Sequence, residues 1–188
     1  MDLVEGTGAS ILDTRKTAPG LRILDKYAVR VGGGVNHRIG LFDEAMVKEN
    51  HIDLSGRSVE ALLGDLRADL GAGVPITCEA RNAAEAEAAV RGDADVVLLD
   101  NMSPQEMSAL IPGLRVLAEQ RGRPVALEAS GGITLTSFTN SHVEWGRPKT
   151  LRAHFSTSDF DITLPSSSDR LPYGRCQSVV ARYGSPAP

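Results

Sequence analysis

Aromatic side chains are scarce in this chain: one Trp, three Tyr and four Phe make up 4% of its 188 residues. A core without them must be built from Val, Leu, Ile and Ala, which suits a parallel sheet under Ala-rich helices better than a β-sandwich. Cysteine is nearly absent. Cys78 sits in an apolar strand-like run and Cys176 in a Ser/Pro-rich stretch, so no disulfide framework is expected and a reducing, cytoplasmic compartment is. No apolar run approaches the ~20 residues of a membrane span. The first residues, Met1-Asp2-Leu3-Val4-Glu5-Gly6, lack the basic-then-apolar order of a secretory signal. Neither a membrane nor an export route is expected. Positive charge is not in excess either, the formal net charge being −4. With no basic stripe interleaved with aromatics, nucleic acid is excluded as a partner.

What is present is an alternation. Short β-like runs at 45–48, 75–79, 95–99 and 124–128 are separated by helix-like runs at 57–70, 83–91 and 104–121. An earlier pair, 9–12 followed by 19–31, fits the same scheme. Repeated strand–helix alternation implies parallel strands joined by crossover helices. Asn82 with Glu85, and Ser103 with Pro104 and Glu106, are helix starts of the capping-box type, while Gly92 and Gly122 stand where helices stop. Each strand runs into charged or amide residues: Lys48-Glu49-Asn50, Glu79, Asp100-Asn101, and Glu128-Ala129-Ser130-Gly131-Gly132. In α/β barrels that rim is where active sites are built. A complete eight-stranded barrel needs ~250 residues, so the expected fold is α/β, a partial, incomplete barrel of parallel strands over 1–134. Residues 135–188 are rich in Ser, Thr, Pro and Arg without a period of 3.6 or 2, and are expected to form an irregular, loop-rich or disordered tail.

The cations of this acidic chain gather in three short blocks: Asp13-Thr14-Arg15-Lys16-Thr17, Gly33-Gly34-Val35-Asn36-His37-Arg38 and Val47-Lys48-Glu49-Asn50-His51. Clustered cations suit a small ligand with several negative charges, and an Arg fork beside a Lys point charge can neutralise two adjacent carboxylates. Singly, each block has a plain reading: a solvated turn, a satisfied His, a solvated Lys. Gly32-Gly33-Gly34 follows a helix rather than a strand, so it reads as a helix stop and tight turn, not as a dinucleotide fingerprint. Ser130-Gly131-Gly132 after a strand is a phosphate-cradle signal or simply a tight turn. Glu79 and Asp100 are strand-end carboxylates, otherwise rim salt-bridge or N-cap groups. Asn50 and His51 either support Lys48 or belong to its loop, and Glu128 is either a site or a structural residue.

Taken in order and spacing, the three blocks resemble the motifs of quinolinate phosphoribosyltransferase, also called nicotinate-nucleotide pyrophosphorylase (carboxylating). The resemblance runs from about Gly8 to Thr134 and implies quinolinate and phosphoribosyl pyrophosphate as partners. Quinolinate is expected on Thr14, Arg15, Lys16, His37, Arg38 and Lys48, and phosphoribosyl pyrophosphate on Glu79, Asp100, Ser130, Gly131 and Gly132. Lys16, Lys48, Glu79 and Asp100 are the expected catalytic residues. Mg²⁺ is the implied cofactor, with no direct protein ligand, held through substrate and water near Glu79 and Asp100. The implied reaction is phosphoribosyl transfer with decarboxylation to nicotinate mononucleotide, a step of NAD biosynthesis, in a cytoplasmic homodimer or hexamer. The family's N-terminal α/β domain and its later phosphate turn have no counterpart here, so this chain is expected to be poorly active. The alternatives are a non-catalytic fragment or pseudoenzyme that associates with full-length subunits, and a related phosphoribosyltransferase acting on another heterocycle.

Overall fold

Apolar runs too short for helices and bounded by good helix starts become buried parallel strands. The computed structural model describes residues 10–133 and two further strands at 151–156 and 178–182, with side chains described for 10–131. In chain order the elements are β1 (Ser10–Leu12), α1 (Arg22–Val31), β2 (Ala45–Val47), α2 (Glu49–Ser55), α3 (Val59–Leu70), β3 (Ile76–Ala80), α4 (Ala83–Arg91), β4 (Val96–Asp100), α5 (Pro104–Arg121), β5 (Ala126–Ile133), β6 (Leu151–Ser156) and β7 (Ser178–Arg182). The sheet order is β1-β7-β6-β5-β4-β3-β2. β2, β3, β4 and β5 run parallel with crossover helices between them, as the alternation predicts. Their register sets Val47 beside Cys78, Glu79 beside Leu98, Leu98 beside Glu128, and Asp100 beside Ser130. The C-terminal ends of these strands therefore lie together at one edge of the sheet. Among the described residues β1 and β2 do not pair with each other, so the row of strands stays open. The remainder of the predicted tail lies outside the described residues.

The core sits between the sheet and helices α3 to α5. Ile76, Cys78, Ala80, Val97 and Leu99 from the strands meet Leu63, Ala86, Ala89, Val90 and Leu114 from the helices, all of them fully buried. Each large aliphatic side chain removed from water in this way contributes roughly 1.5–3 kcal/mol. Small residues set the spacing: a Cβ on Gly92 would lie 2.9 Å from Glu60 Cα and 3.0 Å from Leu63 Cβ. Cys78 is a free thiol, pushed up to about 12 by burial, and such a thiol is inert. Cys176 lies outside the described residues. Among the described residues no helix is long and apolar enough to cross a membrane.

The helix ends follow their local chemistry. Ser103 and Glu106 cap α5 reciprocally, with Pro104 in the first turn. At α4 the expected box is only half made. Asn82 Oδ1 accepts from Glu85 N at 3.0 Å, but the Glu85 carboxylate turns to Arg81 instead. Helix α1 begins at Arg22, three residues later than predicted, because Ala18 to Leu21 form a turn. Helix α2 was not expected. It starts straight after β2, and the His51 imidazole Nδ1 accepts the Lys48 backbone N–H at 3.0 Å, which gives His51 a capping role.

Candidate active site

The C-terminal ends of β1 to β5 and the segments after β1 to β4 line an open cavity of about 630 Å³. Its walls come from five strand ends. Thr14, Arg15 and Lys16 follow β1, and Lys48 and Glu49 follow β2. Glu79 and Arg81 lie at the end of β3, Asp100 at the end of β4, and Glu128 and Ser130 on β5. His37 and Arg38 enter from the segment after α1. Thus Thr14, Arg15, Lys16, His37, Arg38, Lys48, Glu79, Asp100 and Ser130, all singled out in the sequence, share one cavity. Gly131 continues β5 from Ser130 without lining the cavity, and Gly132 lies beyond the residues whose surroundings are described.

One wall is cationic and held from behind. Thr14 Oγ1 accepts from Lys16 N at 3.1 Å, which bends the chain into the turn. Arg22 of α1 fastens that turn, donating to Arg15 O and to Ile39 O, each at 3.2 Å. Arg38 donates to Glu44 O at 2.7 Å and packs on Met46 Sδ at 3.4 Å. Burial lowers the Arg38 guanidinium from its ordinary value, Glu44 opposes this, and the Arg15 charge lowers it further. The two like charges oppose each other until an anion arrives. The Arg15 Nε is buried with no hydrogen-bond partner among the described residues.

His37 turns its ring towards buried carboxylates. Its Nδ1 accepts from Arg38 N at 2.7 Å, while Nε2 lies 3.7 Å from Glu128 Oε1 and 3.9 Å from Glu44 Oε1. Glu44 in turn accepts from Thr77 Oγ1 at 2.6 Å. Behind this group Asp13 and Lys26 form a buried ion pair at 2.7 Å. The sequence singled out neither Glu44 nor Lys26. Lys26 had no local signal, since its partners are 13 and 11 residues away.

The ends of β3, β4 and β5 bring acidic residues to the same cavity. Lys48 Nζ donates to Glu79 Oε2 at 2.6 Å across the two strand ends. Burial, then a hydrogen bond with Glu49, pushes the Glu79 carboxyl up to about 7 against the pull of Lys48, and the Asp100 charge adds to the rise. The same bond holds Glu49 below its ordinary value. Asn101, at φ 54°, donates from Nδ2 to Asp100 Oδ2 at 2.8 Å and from its backbone N–H to Ser130 O at 2.7 Å. Gly131, at φ 81°, fits because any Cβ there would fall 2.1 Å from Asn101 Oδ1. Arg81 is held at the rim by Asp53 and Glu85. Among the described residues no group of three or more His, Cys, Asp and Glu side chains is assembled to hold a metal ion.

Comparison with known proteins places this chain in a family. Residues 1–147 match the model of the quinolinate phosphoribosyl transferase C-terminal domain, past the boundary at 134 expected from the motifs. The nicotinate-nucleotide pyrophosphorylase [carboxylating] of Mycobacterium leprae is 42% identical over 137 residues, 72% of this chain and 45% of that protein. The human protein of the same name is 38% identical over 142 residues, 74% of this chain and 46% of that protein. Among solved structures, NadC from Streptococcus pyogenes is 35% identical with a TM-score of 0.64, covering 75% of this chain and 47% of that one. The chain therefore spans less than half the length of these relatives.

Proposed function

This chain belongs to the quinolinate phosphoribosyltransferase family, and we propose that its cavity binds quinolinate beside phosphoribosyl pyrophosphate for carboxylating nicotinate-nucleotide synthesis. The observation that carries this reading is the convergence of three separated cationic blocks on one cavity that Glu79, Asp100 and Glu128 also line. A pyridine-2,3-dicarboxylate carries two adjacent negative charges. Arg15, Lys16, Arg38 and Lys48 can offset both, and Thr14 and His37 can fix the plane of the ring. The ring nitrogen then attacks C1 of the ribose while the bond from C1 to pyrophosphate breaks. Loss of the 2-carboxylate as CO₂ leaves an electron pair at ring carbon 2, which takes a proton to give nicotinate mononucleotide. No covalent protein intermediate is required. The protein acts by orientation and by charge placed where charge develops.

Glu79 and Asp100 accept the ribose hydroxyls and face the positive charge that grows at C1, while Ser130, Gly131 and Gly132 offer donors to phosphate. Two carboxylates on adjacent strand ends form a hard-oxygen donor set that suits Mg²⁺. Bound near them through substrate oxygens and water, the ion would neutralise the leaving pyrophosphate. Lys16 and Lys48 are the proposed catalytic cations, and Lys48, paired with Glu79, must exchange it for a quinolinate carboxylate. Helix α1 exposes Ile23, Leu24, Tyr27 and Val31 on one side, which supports an assembled form, a homodimer or hexamer, in the cytoplasm.

The test is direct. Purified chain with quinolinate, phosphoribosyl pyrophosphate and Mg²⁺ should form nicotinate mononucleotide, even slowly, and Arg15→Ala should abolish it. Turnover of nicotinate in place of quinolinate, or turnover untouched by Arg15→Ala, would refute the assignment.

A further inference from the structure

We propose that Lys26 is a positioning residue for the dicarboxylate end of the cavity, acting directly and through Asp13 on the backbone of His37. The proposal takes its ligand from the functional reading above, but its geometry stands alone. Helix α1 is inverted relative to an ordinary surface helix. It buries Lys26, 3% exposed, while Ile23, Leu24, Tyr27 and Val31 on its other side are 62–81% exposed. A buried ammonium is costly unless it is paired, and an apolar residue would dock the helix at least as well. The charge must therefore serve something other than packing.

What it serves is the backbone on both sides of one residue. Asp13 Oδ1 accepts from Lys26 Nζ at 2.7 Å and from His37 N at 2.6 Å, while Lys26 Nζ also donates to His37 O at 2.8 Å. The pair grips both the N–H and the C=O of His37. Upstream, Asp13 N donates to Val35 O at 3.0 Å and Val35 N donates to Ile11 O at 2.7 Å. These backbone bonds lay residue 35 along the end of β1, and the ion pair carries the chain on to His37 and Arg38. Lys26 has a second effect. Asp13 lines a cavity suited to a dianion, and its carboxylate would repel that ligand if Lys26 did not offset it from behind. Lys26 itself does not line the cavity, so it acts on substrate only through these partners.

Lys26→Met keeps much of the stem and removes the charge. In the ligand-free chain, amide hydrogen exchange at His37 should quicken at least tenfold while amides of β3 and α4 keep their rates. By calorimetry, quinolinate should bind at least tenfold more weakly, with phosphoribosyl pyrophosphate and Mg²⁺ affected less than twofold. An unchanged rate at His37, or an equal acceleration throughout β3 and α4, would overturn the proposal, because the pair would then be idle or merely structural. If Lys26→Met does not fold, Asp13→Asn decides. It keeps an acceptor for His37 N but loosens Lys26, and should raise His37 exchange at least threefold; no rise overturns the proposal. Failure of the unsubstituted chain to bind quinolinate counts against the functional reading alone, since the exchange measurement needs no ligand.

Discussion

Both ends of the parallel strands are dense with charge, yet the two ends are wired differently. At the N-terminal end Asp93 and Asp95 are shared among three arginines. Arg67 reaches Asp93 at 3.1 Å and Asp95 at 2.5 Å, Arg123 reaches Asp93 at 2.6 Å and also bonds Asp95, and Arg121 lies 3.5 Å from Asp93. Asp95 also accepts from Ile76 N at 2.8 Å, and Arg121 donates to Val90 O and Ala94 O. Those charges spend nearly all their bonding capacity on one another and on the backbone, Arg121 Nε being the exception among these groups. At the C-terminal end, neither Arg15 nor Lys16 makes an ion pair among the described residues, and Lys48 has one carboxylate, Glu79, which burial pushes towards neutrality. Saturated charge is scaffold. Unsaturated charge of one sign, held in place from behind, is a site waiting for a counter-ion.

The strongest way to break that contrast is to remove a charge at the saturated end. Asp95→Ala leaves Arg67 and Arg123 with Asp93 as their shared carboxylate and takes the side-chain acceptor from Ile76 N, and should cost ~2–3 kcal/mol of unfolding free energy in a urea titration. A cost below 1 kcal/mol would show that this network is ornamental. Next in size, Arg15→Ala at the unsaturated end should weaken quinolinate binding by ~1.5–3 kcal/mol, roughly tenfold to a hundredfold. It should leave the urea midpoint unchanged or raise it, because its repulsion with Arg38 is relieved. Destabilisation as large as that from Asp95→Ala would erase the distinction between the two ends. A smaller effect is expected from Gly131→Ala. The new Cβ displaces Asn101, which then releases Asp100, so phosphoribosyl pyrophosphate should bind several-fold more weakly while quinolinate is unaffected.

Much of this contrast was legible in the sequence, for a physical reason. Strands and crossover helices announce themselves by local pattern, and the ends of β3, β4, α4 and α5 fell within a residue or two of expectation because caps such as Ser103 and stops such as Gly92 are local signals. The cavity residues were legible for the same cause: in parallel strands, the residue after each apolar run must reach the same rim. What stayed hidden was non-local or unusually small. Helix α2 has seven residues and depends on an imidazole cap that no pattern announces. Lys26 looked like any helix lysine until the fold brought Asp13 and His37 to it. Glu128 could not be assigned either way, since only the register of β4 and β5 sets it within reach of His37.

The finest test of the unsaturated end is its pH dependence. Glu79 titrates at about 7 in the folded chain, against ~4.3 for a glutamate in an unfolded one. Between those values the folded state holds more protons than the unfolded state, so stability must fall as pH rises through the interval. The contribution is fully present below about 4.3 and lost as pH passes about 7. Glu79→Gln removes this titration while Lys48, Glu49 and Asp100 stay in place. The melting temperature of the unsubstituted chain should therefore drop more between pH 5.5 and 8 than that of Glu79→Gln, both measured without metal. Binding of phosphoribosyl pyrophosphate should run the other way, strengthening over the same interval as the carboxylate that receives the ribose hydroxyls forms. A group that gains ligand and loses stability with the same proton is at odds with its fold for the sake of its ligand. If both properties instead rise together with pH, Glu79 belongs with Asp93 and Asp95 as scaffold, and the division between the two ends must be drawn elsewhere.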